Sequence, residues 1–123
     1  MDYDALTCHV SVRIMEEGRA LGPGLVELLE GVQTYGSLQG AARSMHMSYT
    51  KAWTIVKHAE QIWGFPLTKR YVGGKTGGHS ELTQEAIILL AKYRQLMDEI
   101  HETADASFAR LFSTAELQKL RNT

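Results

Sequence analysis

The stretch that decides the fold is Tyr35–Trp53, which reads YGSLQGAARSMHMSYTKAW. Gly36 can end one helix in a left-handed conformation, and Ser37 is a favourable N-cap for a second helix. Ser48 can cap a third helix, which begins only a short turn after the second one ends. The small side chains of the second helix allow close approach between helices. The stretch therefore predicts a helix-turn-helix, an arrangement that is common in DNA-binding proteins.

The residues before this stretch predict a β-hairpin followed by a helix. Apolar and polar residues alternate from Cys8 to Ile14, which indicates a strand with one buried face, and Arg19–Leu21 can return as a second short strand. A helix is expected from about Pro23 to Tyr35, with an apolar stripe along one side. We expect Cys8 to pack as a small apolar side chain.

The third helix, from about Ser48 to Trp63, has two different faces at 100° per residue. One face is apolar and is expected in the core. The other carries hydroxyl, amide, imidazole and ammonium groups and no carboxylate, which suits contact with phosphates and base edges. Such a face alone is more often plain solvated surface, but the helix-turn-helix spacing favours nucleic acid. The candidate DNA-contacting residues of the two helices are Ser37, Ser48, Tyr49, Thr50, Lys51, Thr54 and Lys57.

The segment after the third helix predicts a hairpin with a glycine-rich tip. A strand over Leu67–Val72 leads into GGKTGG at 73–78, and HSELT at 79–83 is the return strand. The tip lacks the register of a nucleotide-binding P-loop, because Lys69 occupies the position of its first glycine. The hairpin instead predicts a wing that contacts phosphates or the minor groove, and a tip without a partner is the alternative. Its candidate contact residues are Lys69, Arg70, Lys75 and Thr76.

Charge is distributed unevenly along the chain. The formal net charge is −1, yet residues 36–80, the basic middle segment, carry six basic residues and one acid, Glu60. The flanking segments, residues 1–35 and 81–123, are both net acidic. Because the positive charge coincides with the predicted helix-turn-helix and hairpin, it favours a nucleic-acid partner over a merely solvated surface.

The C-terminal part predicts a long helix from Gln84 to about Phe112, which contains no Gly or Pro and would extend about 43 Å. Thr83 can cap it, and STAE at 113–116 is a capping box for a last short helix. Apolar residues recur at heptad spacing along the long helix. Such a stripe is usually intramolecular core, but this length favours pairing with a second copy of the chain. The candidate dimerisation residues are Leu90, Tyr93, Met97, Ile100, Ala104 and Leu111.

Length and composition predict one domain, since the chain has 123 residues of which 44% are hydrophobic. Its parts are an N-terminal β-hairpin (1–22), a helix-turn-helix with wing (23–83), and a dimerisation helix with C-terminal tail (84–123). The chain has no membrane-length apolar run, no secretion signal and one cysteine, which predict a cytoplasmic protein with no membrane partner. Its five scattered histidines predict no metal site, and no catalytic set is evident, so we expect no enzyme.

Two stretches, GPGLVELLEGVQTYGSLQGAARSMHMSYTKAW (22–53) and RYVGGKTGGHSELT (70–83), carry a family resemblance. They resemble the N-terminal DNA-binding domain of ModE-type molybdate-responsive transcriptional regulators, winged helix-turn-helix proteins related to the LysR type. The resemblance covers roughly Val10 to Tyr93, and it implies DNA binding and dimerisation through flanking helices. His46 and Ala86 stand where the family often has glycine. Full-length members carry a further molybdate-binding region after this domain, whereas the sequence ends at Thr123. Because shorter, single-domain relatives occur in the family, we expect a single-domain form.

These observations predict a mostly α fold with a small β component, namely a winged helix-turn-helix with an N-terminal β-hairpin and a long C-terminal dimerisation helix. The expected function is sequence-specific binding of double-stranded DNA by a homodimeric transcriptional regulator, linked to molybdenum metabolism. No cofactor is required, and molybdate or tungstate as effector would need the further region of the family. The alternatives are a small oxyanion-binding protein that uses the glycine loop as an anion nest, or a winged-helix protein-interaction module without DNA binding.

Overall fold

A computed structural model describes residues 5–16, 19–71 and 79–122. The predicted hairpin tip at 73–78, with Lys75 and Thr76, lies outside the described residues. The chain is mostly helical with two small antiparallel two-stranded sheets, which confirms the predicted mostly α fold with a small β component. In chain order the elements are β1 (Ile14–Met15), β2 (Arg19–Leu21), α1 (Pro23–Tyr35), α2 (Leu38–Ser44), α3 (Tyr49–Trp63), β3 (Thr68–Tyr71), β4 (His79–Leu82), α4 (Gln84–Leu111) and α5 (Thr114–Arg121).

The chain divides into two compact units. One is Val12–Lys92, and the other combines Met1–Ser11 with Tyr93–Thr123. The first unit contains both sheets and helices α1 to α3, so it includes every described residue that the sequence nominates for DNA contact. Among the helices described, none is both long and apolar enough to cross a bilayer.

Helix boundaries follow the capping residues that the sequence identifies. Gly36 has φ 73°, the left-handed conformation that ends α1. Ser37 Oγ accepts a hydrogen bond from Gly40 N at 2.9 Å, and Ser48 Oγ accepts one from Lys51 N at 3.1 Å. Ser113 Oγ caps α5 in the same way, with 3.2 Å to Glu116 N. The predicted caps are thus confirmed. They could be predicted from sequence because each cap is a local interaction within four residues.

Helices α1 and α2 cross at unusually short range. A Cβ atom built on Gly31 would lie 2.7 Å from Ala41 Cβ and 3.1 Å from Ala41 Cα. Ala41 is fully buried, as are Leu28, Leu29 and Val32 on the apolar stripe of α1. The core between the two helices therefore depends on the missing side chain at Gly31.

The predicted N-terminal strand is wrong in its extent. Regular pairing begins at Ile14 rather than Cys8, because the partner strand offers only Arg19–Leu21 and its register shifts between Ile14 and Met15. Partly buried and exposed residues still alternate from Val10 to Ile14. Cys8 is exposed, so the prediction that it packs as an apolar side chain is also wrong.

Thr83 closes the base of the second hairpin and joins it to the start of α4. Its hydroxyl donates to Pro66 O at 2.7 Å and accepts from Ala86 N at 3.1 Å, as the predicted cap of α4 requires. Its backbone N–H donates to Leu67 O at 3.0 Å. Because Thr83 is 2% exposed, these bonds form away from solvent and fix where β3 begins and β4 ends.

His46 is expected to be a site of backbone strain, and replacing it with glycine should stabilise the protein. It has φ 56° in the turn between α2 and α3, a conformation that costs a residue with a Cβ roughly 1–2 kcal/mol. Glycine offsets part of this gain, because it gives the unfolded chain more conformational entropy. His46→Gly should therefore raise the free energy of unfolding by about 0.5–1 kcal/mol, measured by urea denaturation. His46→Ala is the matched control, since it removes the exposed ring and keeps the Cβ. An equal gain in both variants would attribute the effect to the side chain instead.

Candidate nucleic-acid interface

Helix α3 has the two faces that its sequence predicts. Ala52, Val56 and Ala59 are at most 1% exposed and face the core. Thr50, Lys51, Thr54, Lys57, His58 and Gln61 are exposed. The Thr54 hydroxyl donates to Thr50 O at 2.9 Å, which leaves its oxygen lone pairs available as acceptors. The exposed face thus presents donors and acceptors, together with two ammonium groups.

Three elements converge beside the start of α3. The start of α2, the first residue of α3 and the middle of the β3–β4 hairpin enclose a groove of about 320 Å³. The backbone N–H of Ser80 donates to Gly36 O at 2.8 Å and holds the hairpin against the end of α1. This groove, called the central groove below, is lined by Ser37, Leu38, Gln39, Tyr49, Arg70 and Ser80. It brings together three of the residues that the sequence nominates, Ser37, Tyr49 and Arg70.

A second groove of about 430 Å³ lies between the start of α1 and the exposed face of α3. Lys51, Thr54 and His58 line it from α3. The facing start of α1 has no side-chain cap and no acidic residue in its first turn, so its positive dipole end is not neutralised there. The Lys51 ammonium and the positive end of the α1 dipole thus face one groove, whose other lining residues include the apolar Leu25, Met47 and Ile55.

The two consecutive basic residues of β3 lie on opposite faces of the hairpin. Arg70 is in register with Ser80 and lines the central groove. Lys69 is in register with Glu81 on the other face. On that face, Tyr71 stacks on His79 with 4.9 Å between ring centroids, and His79 Nε2 lies 3.4 Å from Glu81 Oε1. The structure therefore groups Arg70 with the starts of α2 and α3 and separates Lys69 from them.

Lys57 differs from the other nominated lysine of α3 in its surroundings. Its Nζ lies 3.1 Å from Glu60 Oε1 and 5.7 Å from the centroid of the Trp53 ring. Trp53 is 47% exposed. The Lys57 ammonium group thus already interacts with a carboxylate and an aromatic ring of the protein itself.

Sequence reasoning missed two polar residues of α2. Gln39 and Arg43 are exposed and line a groove of about 380 Å³ with His46, Met47 and Tyr49. Arg43 is one of the six basic residues of the basic middle segment. Residues four apart lie on the same side of a helix, so the spacing of Gln39 and Arg43 could have placed both beside Tyr49.

The nominated dimerisation residues fall into two groups. Leu90 and Tyr93 are 1% and 2% exposed within the single chain, so they offer almost no surface to a partner. Met97, Ile100 and Ala104 are partly buried, and Leu111 is 58% exposed. Dimerisation through α4 stays a prediction, and it concerns the half of the helix that begins at Met97.

Metal-ligating side chains do not gather in the part of the chain that the structure describes. No group of three or more His, Cys, Asp or Glu side chains within residues 5–16, 19–71 and 79–122 could hold a metal ion.

Three curated relatives show what the chain is similar to. It is 33% identical over 94 residues to the molybdenum transport protein ModE of Azotobacter vinelandii, and 34% identical over 94 residues to the transcriptional regulator ModE of Haemophilus influenzae. Each alignment covers 76% of this chain and 35% of the relative. It is also 30% identical over 82 residues to the DNA-binding transcriptional dual regulator ModE of Escherichia coli (strain K12), covering 67% of this chain and 31% of that protein.

No family model matches the chain. The names of the three relatives describe transport and regulatory proteins rather than enzymes, in agreement with the prediction that the chain is not an enzyme. The chain spans about a third of the length of the relatives it matches. Over that third, it is related to the ModE proteins.

Proposed function

We propose that the chain is a winged helix-turn-helix transcriptional regulator that binds double-stranded DNA, with α3 in the major groove and the β3–β4 hairpin on the adjacent backbone. The observation that carries this proposal is the central groove, where Ser37, Tyr49 and Arg70 converge from three separate elements. Hydroxyl groups and a guanidinium at such a junction suit a backbone phosphate, because they can donate several hydrogen bonds to one anion.

The charge of the surrounding surface supports a polyanionic partner. Arg43, Lys51 and Arg70 are exposed on α2, α3 and β3 respectively. Glu60 is the one acid in residues 36–80, and its side chain is only 12% exposed. The basic middle segment therefore exposes positive charge to solvent with little exposed negative charge of its own. Non-specific attraction to DNA phosphates requires such a surface.

The relatives support the same function at a coarser level. The Escherichia coli relative is named as a DNA-binding transcriptional dual regulator and the Haemophilus influenzae relative as a transcriptional regulator. The Azotobacter vinelandii relative is named as a molybdenum transport protein, which motivates a link to molybdenum metabolism. We extend these roles to this chain as part of the proposal.

The proposal includes a homodimer held by the C-terminal half of α4. Leu111 and Phe112 at the end of this helix are 58% and 51% exposed, and Phe112 stacks on Phe108 with 5.4 Å between ring centroids. A second copy of this surface would cover the exposed apolar groups. Two copies of α3 would then read two half-sites related by a two-fold axis.

Selection of bound sequences from a random duplex pool tests the function. We expect enrichment of one sequence, and an affinity for it that falls steeply as salt rises, because several phosphate contacts release counterions. Fluorescence anisotropy across a salt series measures the slope. An affinity that stays flat between low and physiological salt, or no enrichment and no duplex binding at all, would contradict the proposal.

The same selection repeated with molybdate tests the link to molybdenum. DNA binding without molybdate is the expected result, since no cofactor is assigned to the DNA-contacting surface. Calorimetry with molybdate on the protein alone provides the comparison with the oxyanion-binding alternative. Saturable molybdate binding by a protein that does not bind duplex DNA would favour that alternative.

A further inference from the structure

Glu60 occupies a special position at the end of α3. One carboxylate oxygen, Oε2, accepts a hydrogen bond from Leu67 N at 2.7 Å. The other, Oε1, lies 3.1 Å from Lys57 Nζ. With a side chain that is 12% exposed, the Glu60 carboxyl group is largely removed from bulk solvent. Its two oxygens therefore hold two different groups at once.

The bond to Leu67 connects α3 to the strand that carries Arg70. Leu67 is fully buried and directly precedes β3, and its carbonyl accepts from Thr83 N at 3.0 Å. Gly64, with φ 83°, ends α3 and turns the chain back toward Glu60. A buried N–H that loses its acceptor is costly, so the carboxylate fixes where β3 starts relative to α3. Under the proposed function, the position of β3 relative to α3 sets how Arg70 and the exposed face of α3 meet one DNA duplex.

The second bond restrains Lys57. Its ammonium lies between Glu60 and the Trp53 ring, and its side chain is 46% exposed. A lysine held beside a carboxylate offers less net charge to a phosphate than a free one. Glu60 consequently lowers the electrostatic contribution of one basic residue on the DNA-facing helix.

We propose that Glu60 is a positioning residue for DNA binding, which aligns the β3–β4 hairpin with α3 through Leu67 and restrains Lys57 without contacting DNA itself. The inference rests on the proposed function for its consequence in DNA binding. Its structural half, the bond between the Glu60 carboxylate and Leu67 N–H, can be measured on the free protein.

Two substitutions of Glu60 separate its two roles. Glu60→Gln and Glu60→Ala both remove the negative charge, but only the amide keeps an oxygen that can accept from Leu67 N–H. The glutamine NH₂ group then faces Lys57 and releases it. We expect Glu60→Gln to bind a selected duplex about 3- to 10-fold more tightly than wild type at low salt, with a steeper salt dependence. Glu60→Ala should bind at least about 5-fold more weakly than Glu60→Gln, because the hairpin is no longer aligned.

A double variant and hydrogen exchange complete the experiment. In a protein that already carries Lys57→Ala, the further change Glu60→Gln should no longer increase the affinity for the duplex. Exchange of the Leu67 amide should be faster in Glu60→Ala than in Glu60→Gln, while thermal melting verifies that both variants are folded. Equal DNA affinity of the two Glu60 variants would overturn the alignment role, and a gain that persists without Lys57 would overturn the restraint.

These outcomes are distinguishable from failure of the function itself. If neither the wild type nor any variant binds duplex DNA, the proposed function fails, whatever the exchange rates are. If the wild type binds DNA and the Leu67 amide exchanges equally in both variants, the function stands and the alignment role of Glu60 fails.

Discussion

Replacing Gly31 with alanine is expected to destabilise the protein by about 1–2 kcal/mol, although alanine is the better helix former. Its Cβ would lie 2.7 Å from Ala41 Cβ and 3.1 Å from Ala41 Cα. The second atom is backbone, so a side-chain rotation cannot relieve the contact, and α1 and α2 must separate. Overpacking of a close-packed core costs roughly 1–3 kcal/mol, more than the gain of about 1 kcal/mol in helix propensity.

Gly24→Ala in the same helix is the matched control. A Cβ at Gly24 meets no atom within 4 Å, so this variant should gain up to about 1 kcal/mol from helix propensity. Urea denaturation of both variants should therefore give effects of opposite sign. If Gly31→Ala were as stable as wild type, the close crossing of α1 and α2 would be wrong. The double variant Gly31→Ala/Ala41→Gly should be less destabilised than the sum of the two single substitutions, since Ala41→Gly removes the shorter of the two contacts.

The requirement for glycine at position 31 could not be predicted from the sequence, whereas the ends of α1 could. Gly36 and Ser37 act on backbone groups within four residues, and the helix runs over Pro23–Tyr35 as predicted. The contact between Gly31 and Ala41 joins residues ten apart across two helices, and no local pattern reveals it. The predicted extent of the N-terminal strand was wrong for a related reason, because the length of this strand depends on the partner strand at Arg19–Leu21.

In the candidate site, too, features set by local spacing could be predicted and features set by distant contacts could not. The polar face of α3 follows from helical spacing, so Thr50, Lys51 and Thr54 could be placed on it from sequence alone. The convergence of Ser37, Tyr49 and Arg70 depends on how the hairpin packs, which spacing does not determine. Strand alternation could have separated Lys69 from Arg70, but it does not tell which of the two faces the helices.

The placement of Lys69 and Arg70 on opposite faces of the hairpin leads to the second prediction with a large expected effect. Arg70→Glu should weaken binding to a selected duplex by about 100-fold at low salt, which corresponds to about 2.7 kcal/mol. The variant removes a guanidinium from the central groove and places a carboxylate beside Ser37 and Tyr49, where a phosphate is proposed to bind. Arg70 is exposed, so the fold should survive the change. Anisotropy titrations measure the affinity, and thermal melting verifies the fold.

Lys69→Glu is a demanding control, because it makes the same change in charge at the neighbouring residue. Long-range repulsion of DNA is nearly equal for the two variants, whereas Lys69 lies opposite Glu81 on the other face of the hairpin. We therefore expect Lys69→Glu to weaken binding by only about 10-fold, and the loss in both variants to depend on salt. Equal losses would show that net charge, and not the geometry of the central groove, governs the affinity. A larger loss at Lys69 would place the DNA on the opposite face of the hairpin.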